Sequence, residues 1–72
     1  MSTGLTARIA ANVRGELLRQ CVSVGWLAYA LGMSHSDLAQ RLDGAVSFNT
    51  VELGAIADHL GVTVAALIAA PG

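Results

Sequence analysis

The 72-residue sequence predicts an all-α fold, a single domain of five helices, and three observations carry that reading. A helix-start pattern recurs four times, glycines follow the apolar stretches at helix-length intervals, and no alternating strand pattern competes. In the recurring pattern an apolar residue precedes a polar capping residue, and a second apolar residue stands four positions after the cap. It reads Val22, Ser23, Leu27; Met33, Ser34, Leu38; Phe48, Asn49, Leu53; and Val62, Thr63, Leu67. The capping side chain accepts a free first-turn N–H, while the apolar pair clamps the entering chain as a hydrophobic staple. Glycine most cheaply takes the left-handed conformation that closes a helix, and Gly32, Gly44 and Gly61 supply three stops.

In order, helix one runs from Leu5 to Gln20, where Ile9, Val13 and Leu17 form an apolar stripe at i, i+4, i+8. Arg8, Asn12, Arg14, Glu16 and Arg19 lie off that stripe. Helix two spans Val24 to Leu31, helix three His35 to Asp43, helix four Thr50 to Leu60 and helix five Val64 to Ala69. Asp37 after Ser34 and Glu52 after Asn49 stand three residues beyond their caps, so both starts are expected to close a capping box. Residues 1–4 and 70–72 are expected to be flexible ends. Helices two and three are separated only by Gly32, Met33 and Ser34, the tight turn of a helix-turn-helix over about residues 24–43.

Composition narrows the function classes. At 54% apolar and 12% charged the chain is not disordered, and some of its apolar surface is expected to remain uncovered in a monomer. Four arginines, no lysine and five acids leave a net charge of −1, so no general basic field attracts nucleic acid. Lone Cys21 cannot form an intramolecular disulfide and no secretory signal is recognisable, so a reducing cytoplasm is the expected location. The longest mostly apolar run, Val22 to Met33, is too short to cross a bilayer. No enzyme, metal or cofactor site is expected. His35 and His59 are 24 residues apart without a partner at zinc-site spacing, and Cys21, at a helix end, is expected to be a packed thiol.

The segments SVGWLAYALGMSHSDLAQRLDG and VELGAIADHLGVTVAALI resemble the lambda repressor/Cro (XRE) family of bacterial and phage regulators. The similarity covers about Ile9 to Ile68 without a gap. It includes Leu27, Ala28, Leu31, Gly32, Ser34, Leu38, Leu42, Gly44, Ile56, Ala57, Leu60, Gly61 and Leu67. It implies a five-helix lambda repressor-like bundle that binds double-stranded operator DNA, usually as a homodimer, and by analogy a phage or actinobacterial origin. Helix three would enter the major groove, with base contacts at its start and one turn later. Those positions are His35, Ser36, Ala39 and Gln40 here. Gln40 suits adenine, Ser36 several base edges, Ala39 a thymine methyl, and His35 a guanine acceptor or, if protonated, a phosphate.

Phosphate anchoring is thin by the family's standard. Val24 stands where helix two often begins with glutamine, and Ala45, Val46 and Ser47 follow helix three where lysine or arginine is common. Ser23, Ser34, Arg41, Ser47 and Asn49 remain as expected phosphate contacts, with Arg8, Arg14 and Arg19 as further candidates. Asp37 is explained by capping and by Arg41 at i+4, but Asp43 lies at the negative helix end without a nearby cation. Trp26 and Tyr29 also occupy positions usually charged in the family, and helix five carries no charge. An alternative function follows: a protein-interaction module on the same fold, contacting a partner or a second copy through Trp26, Tyr29, Val64, Ala65 and Ile68.

Overall fold

The computed structural model describes residues 2–70 and is all-helical across them. Five helices follow in order: α1 (Ser2–Gln20), α2 (Val24–Leu31), α3 (His35–Leu42), α4 (Thr50–Leu60) and α5 (Val64–Ile68). The four capping residues do what their positions predict. Ser23, Ser34, Asn49 and Thr63 have extended backbones, and their side chains accept the N–H of Trp26, Asp37, Glu52 and Ala66. Boundaries shift by a residue or more at three ends. α3 and α5 stop one residue early, because Asp43 and Ala69 already serve as C-caps. α1 starts at Ser2, so residues 2–4 of the expected flexible end are helical, whereas Met1, Pro71 and Gly72 lie outside the described residues.

One of the two expected capping boxes is complete. Glu52 accepts the backbone N–H of Asn49 and donates its own to the Asn49 side chain. Ser34 caps Asp37, but the Asp37 carboxylate returns no bond to the Ser34 N–H among the described residues. Aspartate is one methylene shorter than glutamate, which limits its reach back across the first turn.

The first four helices close alike. A residue with positive φ donates to the carbonyl three before it, and the next residue donates to the carbonyl five before. These pairs are Cys21 to Leu18 with Val22 to Leu17, and Gly32 to Tyr29 with Met33 to Ala28. The others are Gly44 to Arg41 with Ala45 to Gln40, and Gly61 to Asp58 with Val62 to Ala57. After three of them the chain enters the next helix at once, through Cys21-Val22-Ser23, Gly32-Met33-Ser34 and Gly61-Val62-Thr63. The middle residue of each packs against the core, and the last caps the following helix. After Gly44 the middle position is the exposed Ala45 and no hydroxyl follows it, so a loop runs to Asn49. Cys21 has φ 56, the only positive φ outside glycine among the described residues. The packed thiol expected there is instead exposed, because the position serves to turn the chain.

The core is aliphatic: Val13, Leu17, Leu27, Ala28, Leu38, Leu42, Leu53, Ile56, Ala57, Leu60 and Leu67 form one buried cluster. The stripe of α1 supplies Val13 and Leu17 fully and Ile9 in part. Polar side chains of α1 bind carbonyls at the C-termini of α3, α4 and α5. Arg8 Nε donates to Ile68 O at 3.1 Å, and Asn12 Nδ2 lies 2.9 Å from both Leu67 O and Ala69 O, at the end of α5. Arg14 Nη1 donates to Leu42 O at the end of α3, and Gln20 Nε2 to Leu60 O at 2.7 Å at the end of α4. An unmet buried polar group costs about 1–3 kcal/mol, so these bonds fix the outer helices upon α1. Asn12→Ala is therefore expected to lower stability by about 1–3 kcal/mol, measured by urea unfolding. Hydrogen exchange should show the loss concentrated in α5.

Candidate nucleic-acid interface

The most regular surface is the outer side of α3. Leu38 and Leu42 are buried and Met33 partly so, which turns His35, Ser36, Asp37, Gln40 and Asp43 to solvent; Ala39 is half-buried. The three-residue turn fixes α3 against α2. Among the described residues, the side chains of His35, Ser36 and Gln40 have no intramolecular hydrogen-bond partner. They keep their full donor and acceptor capacity on one helix face.

Three of the five sequence-designated phosphate contacts are helix caps. Ser23, Ser34 and Asn49 are exposed at the starts of α2, α3 and α4, each accepting a first-turn N–H through its side-chain oxygen. Capping leaves the serine O–H groups and the asparagine NH2 able to donate, and a helix N-terminus favours an anion. Ser47 sits in the loop before α4, with its hydroxyl 2.9 Å from Thr6 Oγ1 of α1.

The cationic candidates are placed differently. Arg41 is partly buried, and Arg41 Nε donates to Glu52 Oε1 at 3.2 Å while Nη1 donates to Asp37 O at 2.9 Å. Its partner is thus the carboxylate of α4 and the main chain of Asp37, not the Asp37 carboxylate that i+4 spacing suggests. The same Glu52 oxygen accepts the Asn49 N–H at 3.1 Å, so one atom closes the α4 cap and holds the α3 guanidinium. Arg19 forms a two-bond pair with Glu16, and Arg8 and Arg14 cap α5 and α3. All four arginines are engaged within the chain. Sequence periodicity could put them on polar faces but could not reveal these partners.

Of the aromatic pair, Tyr29 is 85% exposed and Trp26 49%, with Trp26 meeting the His59 ring edge-on at 5.8 Å between centroids. Two exposed residues escaped the sequence reading, Leu18 at 80% and Val51 at 79%. On α5 Val64 and Ala65 are exposed, but Ile68 is half-buried and its carbonyl is taken by Arg8. Cys21 and His59 line an open groove of about 390 Å³ with Trp26. No group of three or more potential metal-ligating side chains forms among the described residues. No helix among them is long and apolar enough to cross a membrane.

No family model matches the chain, and neither the curated proteins nor the solved structures contain a significant match.

Because Glu52 neutralises Arg41, Glu52→Gln should release a cation while its amide oxygen still caps Asn49. We expect a stability loss of about 1 kcal/mol in urea unfolding. For any duplex DNA bound by this surface, the log–log salt dependence should steepen by about one per subunit.

Proposed function

We propose that this chain is a sequence-specific DNA-binding transcriptional regulator of lambda repressor/Cro type, with α3 in the major groove. The observation that carries the reading is the exposed α3 face, where Ser36 and Gln40 stand one turn apart and His35 opens the helix, their side chains free of internal partners among the described residues. The tight turn from α2 and the cap donors at three helix starts support it. In this arrangement Gln40 and Ser36 hydrogen-bond base edges, Ala39 meets a thymine methyl, and Ser23, Ser34 and Asn49 hold phosphates through neutral donors.

With its four arginines hydrogen-bonded within the chain, the domain binds through few charged contacts. Counterion release is then small, and the log–log salt slope is about −2 per subunit or shallower. A pseudo-palindromic operator bound by a homodimer supplies what one subunit lacks, with half-sites about one helical turn apart. The exposed start of α5, Val64 and Ala65, is the surface we assign to that contact.

A protein-interaction module is the second reading, favoured by one observation. The two largest apolar side chains, Trp26 and Tyr29, lie outside an aliphatic core. A partner docking there would cover apolar area that a monomer leaves wet.

Selection from random duplexes, with titration of the winner against a scrambled duplex at two salt concentrations, separates the readings. An enriched motif with a shallow slope is expected; equal weak binding to both duplexes would sink the regulator reading. In the selected site Gln40→Ala should reduce discrimination at one base position by roughly 1–3 kcal/mol. A uniform loss over all sequences would make Gln40 a phosphate contact. Sedimentation should show concentration-dependent association that Ala65→Glu abolishes, and unchanged association would exclude the α5 surface.

A further inference from the structure

We propose that the groove between α1, the start of α2 and the end of α3 binds an aliphatic monocarboxylate of about six to eight carbons, with its carboxylate on Arg14. The groove encloses about 220 Å³ and is lined by Arg14, Leu17, Leu18, Val22, Val24 and Leu42. Leu17 and Leu42 are buried members of the core, Val22 and Val24 are half-buried, and Leu18 stands 80% exposed. Arg14 is the one polar residue in an otherwise aliphatic lining. Apolar walls with a single placed charge are the usual make-up of a small-molecule site. The claim stands apart from the DNA-binding reading, and either can fail without the other.

Arg14 is exposed, yet its guanidinium is held in place, because Nη1 donates to Leu42 O at the end of α3. That bond takes one of five N–H donors and brings no negative charge to the group. The Nε and Nη2 N–H groups have no partner among the described residues, and together they form the fork that a carboxylate meets with two parallel bonds. No carboxylate of the described residues fills that fork. Glu16 pairs with Arg19 and Glu52 with Arg41, while Asp43, next to Leu42, does not line the groove. A preplaced cation beside apolar walls thus lacks an anion. Its complement is a molecule with a carboxylate at one end and a hydrocarbon chain at the other.

Volume sets the length of the chain. A dry apolar cavity of about 150 Å³ holds the six carbons of benzene, so a groove of about 220 Å³ takes roughly eight. A folded partner fits this place less well. A protein interface covers about 800 Å² on each side, whereas the exposed α1 residues next to Leu18, namely Arg14, Gly15 and Arg19, are charged or lack a side chain. The second groove, with Cys21, Trp26 and His59, is lined by no guanidinium and serves as an internal control.

The test is an NMR titration of backbone amide shifts with butanoate, hexanoate and octanoate, and with 1-hexanol, at constant pH and ionic strength. Saturable shifts centred on Leu18, Val22, Val24 and Leu42 are expected. Each added methylene should tighten binding about two- to fourfold, the gain from removing a CH2 group from water. Hexanoate should bind severalfold more tightly than 1-hexanol, and Arg14→Gln should erase that preference while keeping the dependence on chain length. Leu18 is exposed, so Leu18→Glu should keep the fold, which circular dichroism checks, and its like charge should weaken octanoate binding about tenfold. Arg14 also caps α3, so the alcohol comparison and Leu18→Glu decide the matter if Arg14→Gln does not fold. Equal binding of hexanoate and 1-hexanol, shifts centred on Trp26 and His59, or no saturable shift with octanoate would each overturn the proposal. So would self-association that Leu18→Glu abolishes while octanoate stays inert, which would give the groove to a second copy.

Discussion

Each helix in a bundle this small ends in carbonyls without an intrahelical partner, and meeting them is the constraint on which the remaining architecture depends. Internal backbone turns meet some of them after the first four helices. Several more are met by α1, whose Arg8, Asn12, Arg14 and Gln20 reach the ends of α5, α3 and α4. The helix acts as a spine, with an apolar stripe facing the shared core and polar side chains that hold the rims in place. α5, only five residues long, could not persist by its own helical propensity and is stabilised by this attachment.

That use of α1 has an electrostatic consequence at the other surface. Arginines that bind carbonyls and carboxylates inside the chain have fewer donors and less freedom left for phosphates, so a bundle with few cations has committed part of each to its own stability. Glu52 shows how close the competition is: a single oxygen serves both the Asn49 cap and Arg41. Stability and charge presentation are coupled there. What α3 retains is a polar face that also carries the exposed Asp37 and Asp43, and selectivity on such a face comes from matched donors and acceptors more than from attraction to the backbone.

The sequence made the helix starts and stops legible because they are local. Ser34 lies three residues from the N–H it accepts, and Gly32 needs only its own φ. The outward turn of His35, Ser36 and Gln40 could be read in the same way, from the spacing of Leu38 and Leu42. Contacts separated by 28 to 60 residues could not be read. Periodicity puts Arg14 on a polar face without saying that the end of α3 lies beside it, and it gave Arg41 to Asp37 at i+4 when the Glu52 carboxylate held the guanidinium. Leu18 was missed for a related reason: it follows Leu17 in sequence, yet the buried stripe of α1 leaves it facing outward.

The three short turns, Cys21-Val22-Ser23, Gly32-Met33-Ser34 and Gly61-Val62-Thr63, join the closing of one helix to the opening of the next in three residues. Their middle residue is held by the core, so fraying at either neighbour pulls on the same apolar anchor. A helix end here is not an independent weak point but a hinge whose two leaves open together. The Ala45–Asn49 connection has no such three-residue joint and is held instead by Phe48 against the core and by the Ser47 hydroxyl beside Thr6 Oγ1.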